Sequence, residues 1–429
     1  MARRLRHLLP ELSYLRKLVT LAGGTVVGQS LLVLSAPLLT RFFTPADFGL
    51  FSIFAALAGI VGIASGLRFD FAIPIVRSDE DAAALTKLTI ACAVVTALGL
   101  TMLVWWLGER LAILVDTPAL RLWLWLLPPA MCIWGVGSAL TYWSVRRGRF
   151  AVNGMAYTLQ FGSQAGGQLL LGVFGTGGPG LILGYLLGYS ARTGYHAFRL
   201  PFSEWRLILA QHRSRALRSA RESWRYPAFA LPSQLLESAC QLAPVILVGA
   251  LYGPVTAGWY ALGQRIMGLP IRVLAEAASQ VFLGELRGLD HHGLHRLFLR
   301  TLTFFALLGI IGMFPIFLFA PDLFSLIFGE PWRETGIIVK FLTPLFFFRF
   351  IVTPISQILY FLNTQKFAFL SSIMNGIAMI SSFGFAYLQN LDMHTAVLIF
   401  SLSSAASLFL YLIFTWKLTH GMRLPAAAG

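Results

Sequence analysis

Acidic charge is what this chain has least of: 18 Asp and Glu stand against 33 Lys and Arg in 429 residues, and charged residues make up only 12%. With 57% of residues apolar, too little polar surface exists to cover a water-soluble domain, and that class is excluded. Strand-like alternation of apolar and polar residues is missing, which excludes a membrane barrel. The three cysteines, Cys92, Cys132 and Cys240, fall inside apolar stretches without metal-ligand spacing and read as small apolar residues. Asp290, His291, His292 and His295 cluster in one loop, but no Cys or further acid accompanies them, and no metal is expected.

What is abundant is long apolar helix. About 20 residues cross a bilayer as helix. Stretches near 18–40, 48–67, 86–107, 122–142, 154–174, 179–198, 226–250, 257–282, 300–320, 336–361, 366–388 and 394–416 meet that length. The seventh and eighth repeat a pattern of the first and second. Ala36-Pro37 and then Thr44-Pro45-Ala46-Asp47-Phe48-Gly49 are echoed by Ala243-Pro244 and then Gly253-Pro254-Val255-Thr256-Ala257-Gly258. In each copy a Pro sits inside the outgoing helix, and a Pro precedes a Gly by four residues where two helices meet. A second echo links Pro128-Pro129, Tyr142, Arg149 and Phe150 to Pro344, Tyr360, Lys366 and Phe367.

Duplicated six-helix halves are a common plan for transporters. The expected fold is therefore an all-α integral membrane protein of about twelve transmembrane helices, in two pseudo-symmetric six-helix lobes around a central cavity. Its expected parts are a basic interfacial segment (1–17), an N-lobe (18–198), a basic linker (199–225), a C-lobe (226–416) and a tail (417–429).

Basic residues set the orientation. With the amino terminus cytoplasmic, only Arg41, Arg110, Arg121, Arg333 and Lys340 fall on the far side, and Arg265, Arg272 and Arg349 lie within helices. The positive-inside rule then places both termini in the cytoplasm. The net charge of +15 follows from this topology and from contact with anionic lipid, and nucleic acid is not expected as a partner. The first seventeen residues lead straight into a full-length apolar run, unlike a cleaved signal peptide. The linker, with seven Arg from Arg199 to Arg225, is expected to lie on anionic headgroups, the alternatives being gating or the docking of a glycan enzyme.

Polar residues within the helices mark a wet interior. Arg265, Arg272 and Glu276, seven and four residues apart, share one helix stripe, and Arg272 with Glu276 is equally readable as a structural pair. Gln234, Glu237 and Gln241 share another, with Glu237 and Arg265 both near mid-membrane. Asn153, Tyr157, Gln160, Gln164 and Gln168 line one face of the fifth helix, either as interhelical glue or as a polar path. Arg349, Thr353, Ser356 and Tyr360 form a fourth stripe beside Pro344 and Pro354. Amides and hydroxyls suit sugars, and guanidinium suits phosphate.

Three segments carry a family resemblance. Arg41 to Phe51 (RFFTPADFGLF), Arg68-Phe69-Asp70-Phe71-Ala72-Ile73-Pro74 with Asp79-Glu80-Asp81, and Gly258-Trp259-Tyr260 through Arg265 to Pro270 resemble the polysaccharide-transporter branch of the multidrug/oligosaccharidyl-lipid/polysaccharide (MOP) flippase superfamily. The resemblance covers essentially the whole chain. It implies a bacterial inner-membrane flippase, not an enzyme, that moves undecaprenyl-pyrophosphate-linked oligosaccharides to the periplasmic leaflet for O-antigen, capsule or exopolysaccharide assembly. It also implies alternating access in a cationic cavity, and a polysaccharide polymerase and chain-length proteins as partners. It makes Arg265 the leading cavity arginine and matches Arg68 and Asp70 to a segment that either fixes a loop or touches substrate. Glu237 falls where relatives often carry an acid. A buried acid there would exchange protons, so proton or sodium coupling is considered and no cofactor is expected. Rocking of the lobes is expected to turn about the linker.

Rival classes fit less well. A cation-coupled multidrug exporter would place an acid deep in the first six spans, where none is evident. A lipid II flippase usually has two more helices. A membrane glycosyltransferase or ligase tends to carry a long outward loop, and these loops are short.

Overall fold

The computed structural model describes residues 23–114, 120–275, 278–279, 291–356, 358 and 365–421. The basic segment 1–17, Glu276 and Tyr360 lie outside the described residues. Every regular element among those described is helical. The longer ones begin, in order, with α1 (Gly23–Phe42), α2 (Pro45–Ala64), α3 (Asp79–Leu114), α4 (Leu127–Arg146), α5 (Phe150–Val173) and α6 (Gly178–Arg199), with short turns of helix at Phe69–Ala72 and Leu120–Leu124 between them. Two short helices follow, α7 (Phe202–Leu209) and α8 (Arg213–Glu222). Then come α9 (Leu231–Tyr252), α10 (Pro254–Pro270), α11 (His291–Phe328), α12 (Arg333–Ile355), α13 (Gln365–Leu388) and α14 (Met393–Gly421).

Eight of the described helices are long and apolar enough to cross a membrane, so the chain is a multi-pass membrane protein. Helices α5, α6, α10 and α13 occupy the places expected for four more. Polar residues explain why α5 and α6 look less apolar, since amides, tyrosines, glycines and an arginine interrupt their runs. Large apolar side chains point outward where lipid would lie: Val95, Leu98 and Met102 on α3, and Ile310, Ile311 and Phe314 on α11. A soluble fold would bury such stripes.

By its packing the chain divides into two compact units, one ending at Ala257 and the other beginning at Gly258. In the first unit α5 packs along α6, α3 along α4, and α2 against both α6 and α9. In the second, α12 packs on α11 and α14, and α13 on α14.

The duplicated turns are built from local chemistry. Thr44 caps α2: its Oγ1 accepts from Asp47 N at 3.3 Å, while Asp47 Oδ2 accepts from Thr44 N at 2.9 Å, and Pro45 fills the first helical position. Asp47 reaches further, because its Oδ1 accepts from Gly178 N at 2.5 Å and so holds the start of α6 to the start of α2. In the second copy Gly253, at φ 86°, makes the bend that only glycine adopts freely, and Pro254 opens α10. The two copies touch, since a Cβ on Gly49 would collide with the Pro254 backbone. Further along the same contact, Gly59 faces Leu242 and Gly249 faces Ile53, small residues that let α2 and α9 approach closely.

The linker is held to the first unit and is not a loose hinge. Glu204 on α7 accepts from Arg149 Nη2 at 2.6 Å, Arg149 Nη1 at 3.0 Å and Trp143 Nε1 at 2.8 Å. Lys87 on α3 donates to the carbonyls of Leu209 (2.7 Å) and Gln211 (2.8 Å), satisfying the end of α7. Ile208 enters a core with Phe69, Ile73, Leu85, Leu140 and Trp143. The expectation of a pivot in the linker is thus corrected for its first part: an ion-pair clamp, a lysine cap and a buried isoleucine bind α7 to the helices before it.

Candidate functional site

Polar groups gather in each unit. In the first, the amides of α5 are buried at Asn153, which faces α4, and at Gln160, Gln164 and Gln168, which face α6. Gln168 Nε2 donates to Leu181 O at 3.0 Å and Asn153 Nδ2 to Thr141 O at 3.3 Å, which is the behaviour of interhelical glue. Glycines on α6 make room: a Cβ on Gly184 would strike Gln168, and one on Gly188 would strike Gln160 O and Gln164 Cβ.

The middle of the stripe has another role. Gln160 Oε1 accepts from Arg192 Nη1 at 3.2 Å, and the Arg192 guanidinium lies over the rings of Tyr157 (5.5 Å) and Tyr189 (5.4 Å). Trp134 stacks on Tyr189 at 4.8 Å, and Tyr185 adjoins it at 4.7 Å. Tyr157, Tyr189 and Trp134 are half-buried, while Arg192 is only 6% exposed. Below Arg192, His196 lies 3.2 Å from Thr141 Oγ1 and 3.4 Å from Ser144 Oγ. Sequence reasoning missed Arg192 as a site residue because it was grouped with the basic helix ends. The signal was present: Tyr185, Tyr189, Arg192 and His196 are spaced by four, three and four, one face of α6.

Arg68 and Asp70 come together in the turn between α2 and α3. Leu67 and Arg68 are left-handed at φ 50° and 59°, a conformation costly for residues with a Cβ. Arg68 lies 3.6 Å from Asp70 Oδ2 and 5.0 Å from the Phe71 ring, and Ser138 Oγ donates to Asp70 Oδ2 at 2.5 Å. Asp70 Oδ1 has no hydrogen-bond partner among the described residues. Burial pushes the Asp70 carboxyl above the usual carboxylate range, against the opposing pull of Ser138 and Arg68. Arg146 completes the turn, donating to Ile73 O at 3.0 Å, Val76 O at 2.7 Å and Asp79 Oδ1 at 2.9 Å. These contacts fix the loop.

In the second unit three arginines lie in helix interiors. Arg265 sits on α10, and Arg272 follows Pro270 in a π-turn, Ile271–Ala275. Pro270 lacks an N–H, and the widened turn follows it directly. Arg272 folds back over Gly268, whose added Cβ would lie 3.3 Å from Nη2, and that nitrogen donates to Arg265 O at 3.5 Å. The two guanidinium groups are near enough to repel. On α12, Arg349 lies 5.9 Å from the Phe346 ring and within electrostatic reach of Tyr260. Thr353 Oγ1 donates to Arg349 O at 2.7 Å, and Ser279 Oγ to Thr353 O at 3.1 Å, while Ser401 Oγ on α14 accepts from Leu345 N at 3.3 Å beside Pro344.

The π-turn widens the helix between Pro270 and Ala275, and Arg272 still reaches back to Arg265. The proposed Arg272 to Glu276 pair lies outside the described residues. Glu237 is exposed on α9. No group of three or more His, Cys, Asp or Glu suited to a metal occurs among the described residues.

Comparison with known proteins fits this arrangement. The sequence matches the family described as polysaccharide biosynthesis protein over residues 38–336. No curated protein sequence is significantly similar. Among solved structures, the lipid II flippase MurJ in an inward closed conformation is similar with a TM-score of 0.72 at 14% identity, over 93% of this chain and 87% of that one. A MOP superfamily transporter from Pyrococcus furiosus, described as having a binding pocket of reversed polarity, gives 0.59 at 14% identity over 95% and 96%. An inward-facing multidrug resistance MATE transporter of the MOP superfamily gives 0.58 at 15% identity over 95% of each chain. The chain belongs to the polysaccharide biosynthesis protein family and has the fold of MOP superfamily flippases and transporters.

Proposed function

We propose that this flippase moves undecaprenyl-pyrophosphate-linked oligosaccharide repeat units from the cytoplasmic to the periplasmic leaflet of a bacterial inner membrane, by alternating access, for O-antigen, capsule or exopolysaccharide synthesis. The observation that carries the reading is the set of arginines within membrane helices: Arg265, Arg272 and Arg349 in the second unit and Arg192 in the first. Cations in hydrocarbon are costly and persist where an anion is to be met, and guanidinium gives paired bonds to phosphate oxygens. In this scheme the second unit's arginines balance the pyrophosphate. Tyr157, Gln160 and Tyr189 meet sugar through ring faces and an amide.

The family supports a polysaccharide substrate. Both termini and the linker are cytoplasmic in this reading, following the distribution of basic residues. A multidrug exporter is disfavoured because the acids of α1 to α6 fall at helix ends, as Asp47 and Asp79 do. No step in the proposed cycle makes or breaks a covalent bond.

The experiment is mass spectrometry of polyprenyl-linked lipids from cells with and without the protein, with leaflet judged by glycosidase access in sealed vesicles. The expected result is a complete repeat unit on undecaprenyl pyrophosphate, confined to the cytoplasmic face when the protein is missing. An unchanged lipid pool would point to another solute, and an incomplete glycan would point to an enzyme.

A further inference from the structure

We propose that the outer face of α8 and the chain leading from it to Phe229 is a docking surface for an anionic bilayer. One side of α8 is committed to protein. Ala216 and Ser219 are buried, and Arg215 lies 3.8 Å from Asp81 of α3. The other side is built differently. Arg213, Arg218, Arg221 and Arg225 are exposed, and none has an ion pair among the described residues. Between them Leu217 (52%), Trp224 (54%) and Phe229 (65%) are open to the surroundings. Large apolar groups interleaved with arginines suit a headgroup boundary, where rings enter the acyl edge and cations stay among phosphates.

Chain geometry selects the occupant. The segment leaves the 22-residue α6 at Arg199 and re-enters a membrane-length helical run at Tyr226; with α6 taken as a span, both of its ends lie at the same membrane face. The extended anionic surface beside it is the bilayer itself. Glu204, Lys87 and Ile208 hold α7 to the first unit, and Arg215 holds α8, so the exposed face is presented from a rigid base. Lipid binding here would tie the first unit to the membrane surface by charge. This inference does not rest on the identity of the transported molecule.

The test uses the full chain in nanodiscs of phosphatidylcholine alone or mixed with phosphatidylglycerol, followed by hydrogen exchange over residues 213–229. Phosphatidylglycerol should slow exchange there in the wild type. The triple change Arg213→Gln, Arg218→Gln, Arg221→Gln should weaken that response by about fivefold per arginine, on the order of a hundredfold in all. The corresponding Lys triple should keep most of it, since bilayer attraction needs charge and not a fixed fork. Equal exchange of the wild type in both lipids would overturn the proposal, and that comparison needs no variant. Equal protection by soluble glycerophosphate in neutral nanodiscs would also overturn it, in favour of a free-phosphate site.

Discussion

Gly49 of the first duplicated turn rests directly on the backbone of Pro254, which opens the second. The residue that permits close approach in one copy is matched with the residue that starts the helix in the other. The repeat is therefore a contact in space as well as a pattern in sequence.

Gly49→Ala places a methyl against backbone that cannot rotate away, so overpacking should cost about 1–3 kcal/mol. Gly99→Ala is the control, because a Cβ there meets nothing within 4 Å. Thermal unfolding in detergent should fall for the first variant and stay level or rise for the second. Equal melting would remove the contact as a determinant of stability.

Arg192 joins two rings and an amide, which a lysine cannot reproduce with a compact ammonium. Arg192→Lys and Arg192→Ala should both lower translocation by about tenfold, the effect of losing the charge-assisted bond to Gln160 that orders the two rings. A leaflet-access assay on inserted protein reads this. Full activity of the lysine variant would reduce Arg192 to a simple positive charge.

Glu204→Gln keeps the shape of the clamp but removes its charge. Weakening its charge-assisted bonds to Arg149 should destabilise the docked linker by about 2 kcal/mol. Limited trypsin cleavage at Arg206 or Arg213 should quicken, while the membrane helices stay intact. An unchanged cleavage pattern would mean that Lys87 and Ile208 suffice.

Asp70 supplies a pH dependence of known sign. Its folded pKa is raised above the ordinary 3.8, so the native state holds the proton more tightly than the unfolded chain does. Stability should fall as pH rises from the ordinary value through the raised one. Asp70→Asn, which keeps an oxygen for Ser138, should flatten that part of the curve when melting is followed from about pH 4 to about pH 8. A wild-type curve already flat across this range would contradict the assignment.

The helices, and the turns at Pro45 and Pro254, were legible because their signals are local: length, apolarity, and Pro and Gly at fixed offsets. The α5 stripe was legible too, but its partner was not. Gln160 meets Arg192 across 32 residues, and only the second helix decides whether an amide is glue or part of a site. The linker clamp was hidden for the same reason, since Glu204 and Arg149 lie 55 residues apart. The π-turn after Pro270 was hidden as well, although Pro270 itself was the local signal of an irregular helix.

That π-turn bears on how relatives are compared. A π-turn is an α-helix holding one residue more than its hydrogen-bond ladder requires. A homologue lacking this insertion would be one residue shorter after Pro270 and would keep Arg265 in place. Side chains beyond the deletion would keep their places around the helix axis, because the bulge alone takes up the extra residue. Counting residues between Arg265 and Ser279 thus separates relatives that carry the bulge from those with a regular helix here, and tells which residue numbers correspond beyond it.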